Sequence, residues 1–295
     1  MKNFIITLLV IVLVGFGIYF LTKGSPSDVN TLAPTEDNEQ IDEIVVENKE
    51  STVIGKSVEG RDITAYHYGN GDEDILFVGG VHGGYSWNTT LVAYETMDYL
   101  KANPNVIPSN IKVTVIPVLN PDGLNKVVGT AGRFSKADVS SSKTIQTSGR
   151  FNANNVDLSR NFDCNWKSVG VWQTKNVSGG SKVFSEPESV ALRDYVVANK
   201  PDAVVVWYSA AGGVYASTCD NSILPETSVI TDIYAKASGY PAYESFDFYE
   251  TTGDIVSWLA KNKIPAVSVL LSNHEDTEWD KNKKGIEALL KHYAK

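Results

Sequence analysis

His82 is the residue of this chain best placed to do chemistry. It follows the apolar run Ile75–Val78 and is flanked by Gly79, Gly80, Gly83 and Gly84. An imidazole on a glycine-rich turn at the end of a buried strand is well placed to hold a catalytic metal. An open zinc site takes about three protein ligands and a water. No Glu stands close to His82, however, and the chain has only three other histidines, His67, His274 and His292. The residues therefore point to a metal centre with an incomplete ligand set. Nucleophilic catalysis by Ser86 or Ser209, with His82 as base, is the other chemistry on offer. It lacks the G-x-S-x-G elbow that such an arrangement uses. His67 sits in an alternating strand pattern and His292 in a C-terminal helical pattern, so both are expected to be structural or to face solvent.

Around His82 the chain alternates buried strands with helices. Ile75–Gly80, Lys112–Leu119, Ala203–Trp207 and Ala266–Leu271 are continuous rather than alternating apolar runs, the mark of strands covered on both faces. Ile63–Tyr68 alternates. Helical patterns fall at Leu91–Leu100, Glu188–Lys200, Ile230–Ser238, Ile255–Asn262 and Lys283–Tyr293. This predicts an α/β domain with a central sheet and helices on both faces, and ligands beyond the carboxyl ends of the strands. Asn120–Gly123 reads as a turn, and 129–149 as a long surface loop near the site.

The first 24 residues stand apart. Phe4–Leu21 is an uncharged stretch of 18 residues between Lys2 and Lys23, long enough to cross a bilayer. A cleavable signal peptide would have an apolar core of about 7–15 residues and an A-x-A-like site close behind. An uncleaved anchor is expected instead, spanning 1–24 and leaving the body outside the cytoplasm. Residues 25–50 hold eight Asp or Glu, one Lys and no aromatic residue, which predicts a solvated, disordered acidic linker. The linker carries −7 of the formal −9 and the anchor lysines +2, leaving −4 on the body, 51–295. That balance gives no basic patch for nucleic acid. Cys164 and Cys219 could pair in an oxidising compartment or remain as two thiols.

Several segments together resemble the zinc carboxypeptidase family, which includes carboxypeptidase A and the murein-peptide amidases. They are Gly79–Gly83, Val118–Leu124, Gly149–Phe162 with its Val-Asp-Leu-Ser-Arg-Asn-Phe block, Ser185–Glu188 and Thr252–Asp254, in family order over about residues 55–290. The resemblance implies a mixed eight-stranded sheet and zinc-dependent removal of C-terminal residues. It places Arg150 where the family polarises the scissile carbonyl and Arg160 where it grips the substrate carboxylate. Ser159 stands in place of the usual Asn, and Tyr249 falls near the tyrosine that closes over the bound end.

On the metal side the resemblance breaks. His82 fits the first ligand, but Tyr85 occupies the Glu ligand position, Tyr208 the second His position and Leu270 the position of the general base. A phenol with a pKa near 10 is a poor substitute for carboxylate or imidazole. The segment Leu271–Trp279 offers a rescue set, with His274, Glu275 or Glu278 joining His82; the same residues also read as an acidic turn capping the last helix. Two functions follow. One is a membrane-anchored binding module that holds the C-terminal carboxylate of peptides, cell-wall peptides above all, and does not hydrolyse them. The other is a metallocarboxypeptidase with a non-standard zinc site.

Overall fold

The run Ala203–Ser209 is central to its sheet because both of its faces are buried. Ala203, Val205 and Trp207 belong to one hydrophobic core, and Val204, Val206 and Tyr208 to another. The computed structural model describes residues 50–220 and 222–295. The expected anchor, 1–24 with its span at 4–21, and the acidic linker up to residue 49 lie outside the described residues. Among the described residues no helix is long and apolar enough to cross a membrane.

The strands are β1 (Ser51–Lys56), β2 (Asp62–Tyr68), β3 (Glu73–Val78), β4 (Ile111–Ile116), β5 (Val169–Trp172), β6 (Lys175–Ser178), β7 (Ala203–Ser209), β8 (Gly213–Ala216), β9 (Thr218–Cys219), β10 (Ser222–Ile223), β11 (Ala242–Tyr243) and β12 (Ala266–Leu271). The helices are α1 (Trp87–Ala102), α2 (Pro121–Val128), α3 (Lys143–Ser148), α4 (Pro187–Asn199), α5 (Pro225–Ser238), α6 (Ile255–Lys261) and α7 (Trp279–Tyr293). Eight strands form one mixed sheet in the order β1-β2-β4-β3-β7-β12-β8-β11. β4, β3, β7 and β12 run parallel, so their carboxyl ends open onto one edge. The fold is the α/β architecture the sequence predicts. Helices α1, α2, α5 and α7 cover one face, while α4 and α6 cover the other.

Three readings of the chain need correction. Asn120–Gly123 is not a free turn but the start of α2. The Asn120 side chain accepts the Gly123 N–H at 2.9 Å, and Pro121, whose missing N–H costs nothing there, takes the first helical position. The stretch 129–149 is not a bare loop, because it contains α3, capped by Ser142. The hairpin β5–β6 lies in a stretch for which no strand was predicted. Cys164 and Cys219, left open by the sequence, form a disulfide with Cα atoms 6.1 Å apart.

Candidate binding site at the carboxyl edge of the sheet

The side chains of the site are carried by the ends of strands and by the loops beyond them. His82 sits on the tight turn between β3 and α1, where Gly83 N donates to Gly80 O at 3.1 Å and Tyr85 N to His82 O at 3.0 Å. Gly83 has φ +43, and a Cβ there would lie 2.7 Å from Gly149 O. Only glycine fits this crossing with the segment that carries Arg150. Tyr208 is the penultimate residue of β7 and Leu270 that of β12. Arg150 follows α3. Asp157 precedes the single 3₁₀ turn Leu158–Arg160, and its Oδ1 accepts both the N–H (3.1 Å) and the hydroxyl (2.8 Å) of Ser159.

These segments converge on a buried charge network. Arg150 Nε donates to Asp157 Oδ2 at 2.9 Å, and Nη2 lies 2.8 Å from the same oxygen. His82 Nε2 is 3.0 Å from Ser159 Oγ and 3.5 Å from Asp157 Oδ1. Arg160 Nη1 donates to Ser159 O (2.7 Å) and Ser159 Oγ (3.1 Å). Arg150, Ser159, Arg160 and Asp157 are each at most 2% exposed. Burial alone would raise the Asp157 carboxyl, but the charge of Arg150, the hydrogen bond with His82 and the charge of Arg160 hold it well below the usual carboxylate range. His82 is pushed down to about 4, first by burial and then by Arg150, against the pull of Asp157. At neutral pH it is an uncharged imidazole beside an ionised carboxylate.

The network opens onto a cavity of about 230 Å³ lined by His82, Arg150, Ser159, Arg160, Tyr208, Tyr249 and Leu270 among others. Sequence reasoning gave no role to Asp157, to Asp254 or to the aromatic wall. Asp254 also lines the cavity. It caps α6 through Ser257, and burial raises its carboxyl pKa in spite of the nearby Arg160 charge. Tyr249 stands with its ring 5.8 Å from the Arg160 guanidinium carbon and packs on Phe246. Trp172, from the unexpected hairpin, covers Arg150 at 4.5 Å. The only sequence signal for Asp157 was its place two residues before Ser159 in the Val-Asp-Leu-Ser-Arg block. Trp172 left none.

The rescue set does not assemble. His274 packs on Tyr85 with ring centroids 4.4 Å apart and is not among the residues that line the cavity with His82. Glu275 is exposed and pairs with Lys136 at 3.3 Å and Lys143 at 3.7 Å. Glu278 is spent on structure: it accepts from Ser272, Tyr240 and Lys281. Among the described residues no group of three or more His, Cys, Asp or Glu could hold a metal ion.

The residues at the first expected site do not fit zinc either. His82 offers one free nitrogen, Nδ1, which is buried without a partner. Its aromatic neighbour Tyr208, with ring centroids 5.2 Å away, has its phenol driven well above 10 by burial and by Asp254. Tyr85 is also raised, by burial. With phenols at both places, His82 is the one ordinary zinc ligand here, short of the three protein ligands of an open site.

A family model described as zinc carboxypeptidase matches residues 41–281. The chain belongs to the zinc carboxypeptidase family. Among curated members of wider sequence similarity, it is 24% identical over 219 residues to gamma-D-glutamyl-L-diamino acid endopeptidase 1 of Lysinibacillus sphaericus, covering 68% of this chain and 55% of that protein. The chain spans about half the length of the curated relatives it matches. Solved structures share the fold. Murein-tripeptide amidase of Escherichia coli O157 superposes with a TM-score of 0.57 at 20% identity, over 83% of this chain and 92% of that one. Carboxypeptidase A of Helicoverpa armigera gives 0.61 at 19% identity, over 82% and 67%. The family is normally zinc-dependent; Tyr208 packs beside His82, and Leu270 lines the same cavity.

Proposed function

We propose that this chain is a carboxypeptidase-like binding module, which holds the free C-terminal carboxylate of a peptide and does not cleave it. One observation carries the reading. Two buried arginines, Arg150 and Arg160, line the same cavity as Leu270, an aliphatic side chain that can take no proton from water. A guanidinium is a planar donor fork suited to carboxylate oxygens. Ser159, hydrogen-bonded to Asp157 and His82, sets the rim of that grip, and Tyr249 is the side chain that closes over a bound end. Cell-wall peptides are the ligand class. The names of the murein-tripeptide amidase and of the gamma-D-glutamyl-L-diamino acid endopeptidase support this; an N-terminal anchor at residues 4–21, holding the body outside the cytoplasm, is part of the same proposal.

Calorimetric titration of the full-length protein with an acetylated dipeptide and with its C-terminal amide tests the reading. Binding of the acid alone, lost in Arg160→Ala, is the expected result. Equal binding of acid and amide, or unchanged binding by Arg160→Ala, would remove the proposed pocket. Peptide hydrolysis by the metal-loaded chain would remove the non-hydrolytic half of the proposal.

A further inference from the structure

Arg160 is not free to grip a ligand with its whole fork. A guanidinium carries five N–H donors. Nε and Nη2 of Arg160 both donate to the backbone carbonyl of Val171, at 3.3 and 3.0 Å. Nη1 spends its two on Ser159 O and Ser159 Oγ. One N–H on Nη2 is left. Val171 belongs to the hairpin β5–β6, whose backbone also presses on the arginine: a Cβ at Gly170 would lie 2.9 Å from Arg160 Cδ. The next residue, Trp172, is 7% exposed and lies over Arg150, with Tyr85 at 5.0 Å and Phe151 at 6.3 Å. One hairpin thus covers both arginines of the cavity.

The hairpin stands apart from the central sheet. It is a separate two-stranded sheet with no pairing to the eight-stranded one. Its base is tied down, by Asp157 N to Ser178 O at 2.9 Å and Asn161 Nδ2 to Gly179 O at 2.7 Å, whereas its tip is held by Trp172 and the Arg160–Val171 contacts. Two-stranded ribbons are marginal on their own, and such elements open locally at a small fraction of the global unfolding free energy.

We propose that the β5–β6 hairpin is an autoinhibitory strap: the Val171 carbonyl occupies the donors of Arg160 that a ligand carboxylate needs, so carboxylate binding and strap closure exclude one another. The proposal rests on the carboxylate reading of the cavity. A ligand carboxylate, being charged, outcompetes a neutral carbonyl for the same fork, but its affinity is reduced by the fraction of molecules whose strap is closed.

The test compares the full-length protein with its Trp172→Ala variant, using N-acetylalanine as probe and its primary amide as control. Trp172→Ala should bind the acid about fivefold or more tightly, because more molecules are open. In the unaltered chain, saturating acid should speed amide hydrogen exchange across Val171–Lys175. Gly170→Ala, which forces strap and guanidinium apart without touching Trp172, should shift affinity the same way and serves if Trp172→Ala does not fold. Binding by the unaltered chain with an equally protected strap, and no gain in either variant, overturns the strap and leaves the carboxylate reading standing. Folded chains that all ignore the acid overturn both. Binding by a variant where the unaltered chain binds nothing measurable supports both.

Discussion

Tyr208 and Leu270 are register partners across the parallel pair β7–β12, and both side chains point to the face that lines the cavity. The two positions at which the family would place a ligand and a base are therefore neighbours here, occupied by a buried phenol and a buried aliphatic chain. His82 still keeps its carboxylate partner Asp157, the outer contact that orients a metal-bound imidazole. On the proposed reading, the orienting shell remains while the ligands have changed. Replacing Tyr85 with Glu and Tyr208 with His should thus create zinc binding with a Kd of about 1 μM or tighter. Zinc retained by the folded double variant and absent from the unaltered protein, measured by elemental analysis after gel filtration, is the expected outcome. A folded double variant that holds no zinc would show that the backbone has moved too far to restore the centre.

Burial of neutral His82 makes stability depend on pH. Its folded-state pKa, about 4, lies below the ordinary 6.5. The unfolded chain therefore takes up the proton first as pH falls. The contribution is whole above 6.5, declines from 6.5 to 4 and is gone below 4. The shift corresponds to about 3 kcal/mol over that window. His82→Gln should flatten this slope in urea denaturation between pH 7 and 4, while Asp157, held well below its ordinary range, stays ionised throughout. An unchanged slope in His82→Gln would mean that the imidazole takes up its proton at the same pH in the folded and the unfolded chain.

Asp157 neutralises Arg150 where neither is exposed. Removing one member of a buried pair leaves the other charged and desolvated, at a cost of about 3–5 kcal/mol. Asp157→Ala should lose that much in chemical denaturation. A loss below about 1 kcal/mol would be that of a solvent-screened pair, contrary to the burial seen here.

The Cys164–Cys219 disulfide closes a loop of 55 residues, worth about 4 kcal/mol in the chain-entropy limit. Cys164 also lines the cavity. Reduction, or the double Cys→Ser variant, should lower stability by about 2–4 kcal/mol and weaken carboxylate binding together. Stability lost with affinity unchanged would separate the disulfide from the site.

Much of this protein follows from short-range pattern in the sequence. Runs such as Val204–Val206 and the largely apolar Ala266–Leu271 do not alternate, as strands covered on both faces require, so the layered α/β fold was legible. Tyr85, Tyr208 and Leu270 could be placed near the site as well, because each lies at a fixed offset from a recognisable segment. The partners of those residues were not legible. That Asp157 holds both His82 and Arg150, that Glu278 is used up on Ser272 and Tyr240, and that Cys164 meets Cys219 depend on where separate loops cross beyond the sheet. Local periodicity says nothing about such crossings. The hairpin shows the division most clearly: Val169–Ser178 has no core-like stripe to announce it, and its meaning lies in the contacts of Val171 and Trp172 with two distant arginines, which the tertiary structure alone decides.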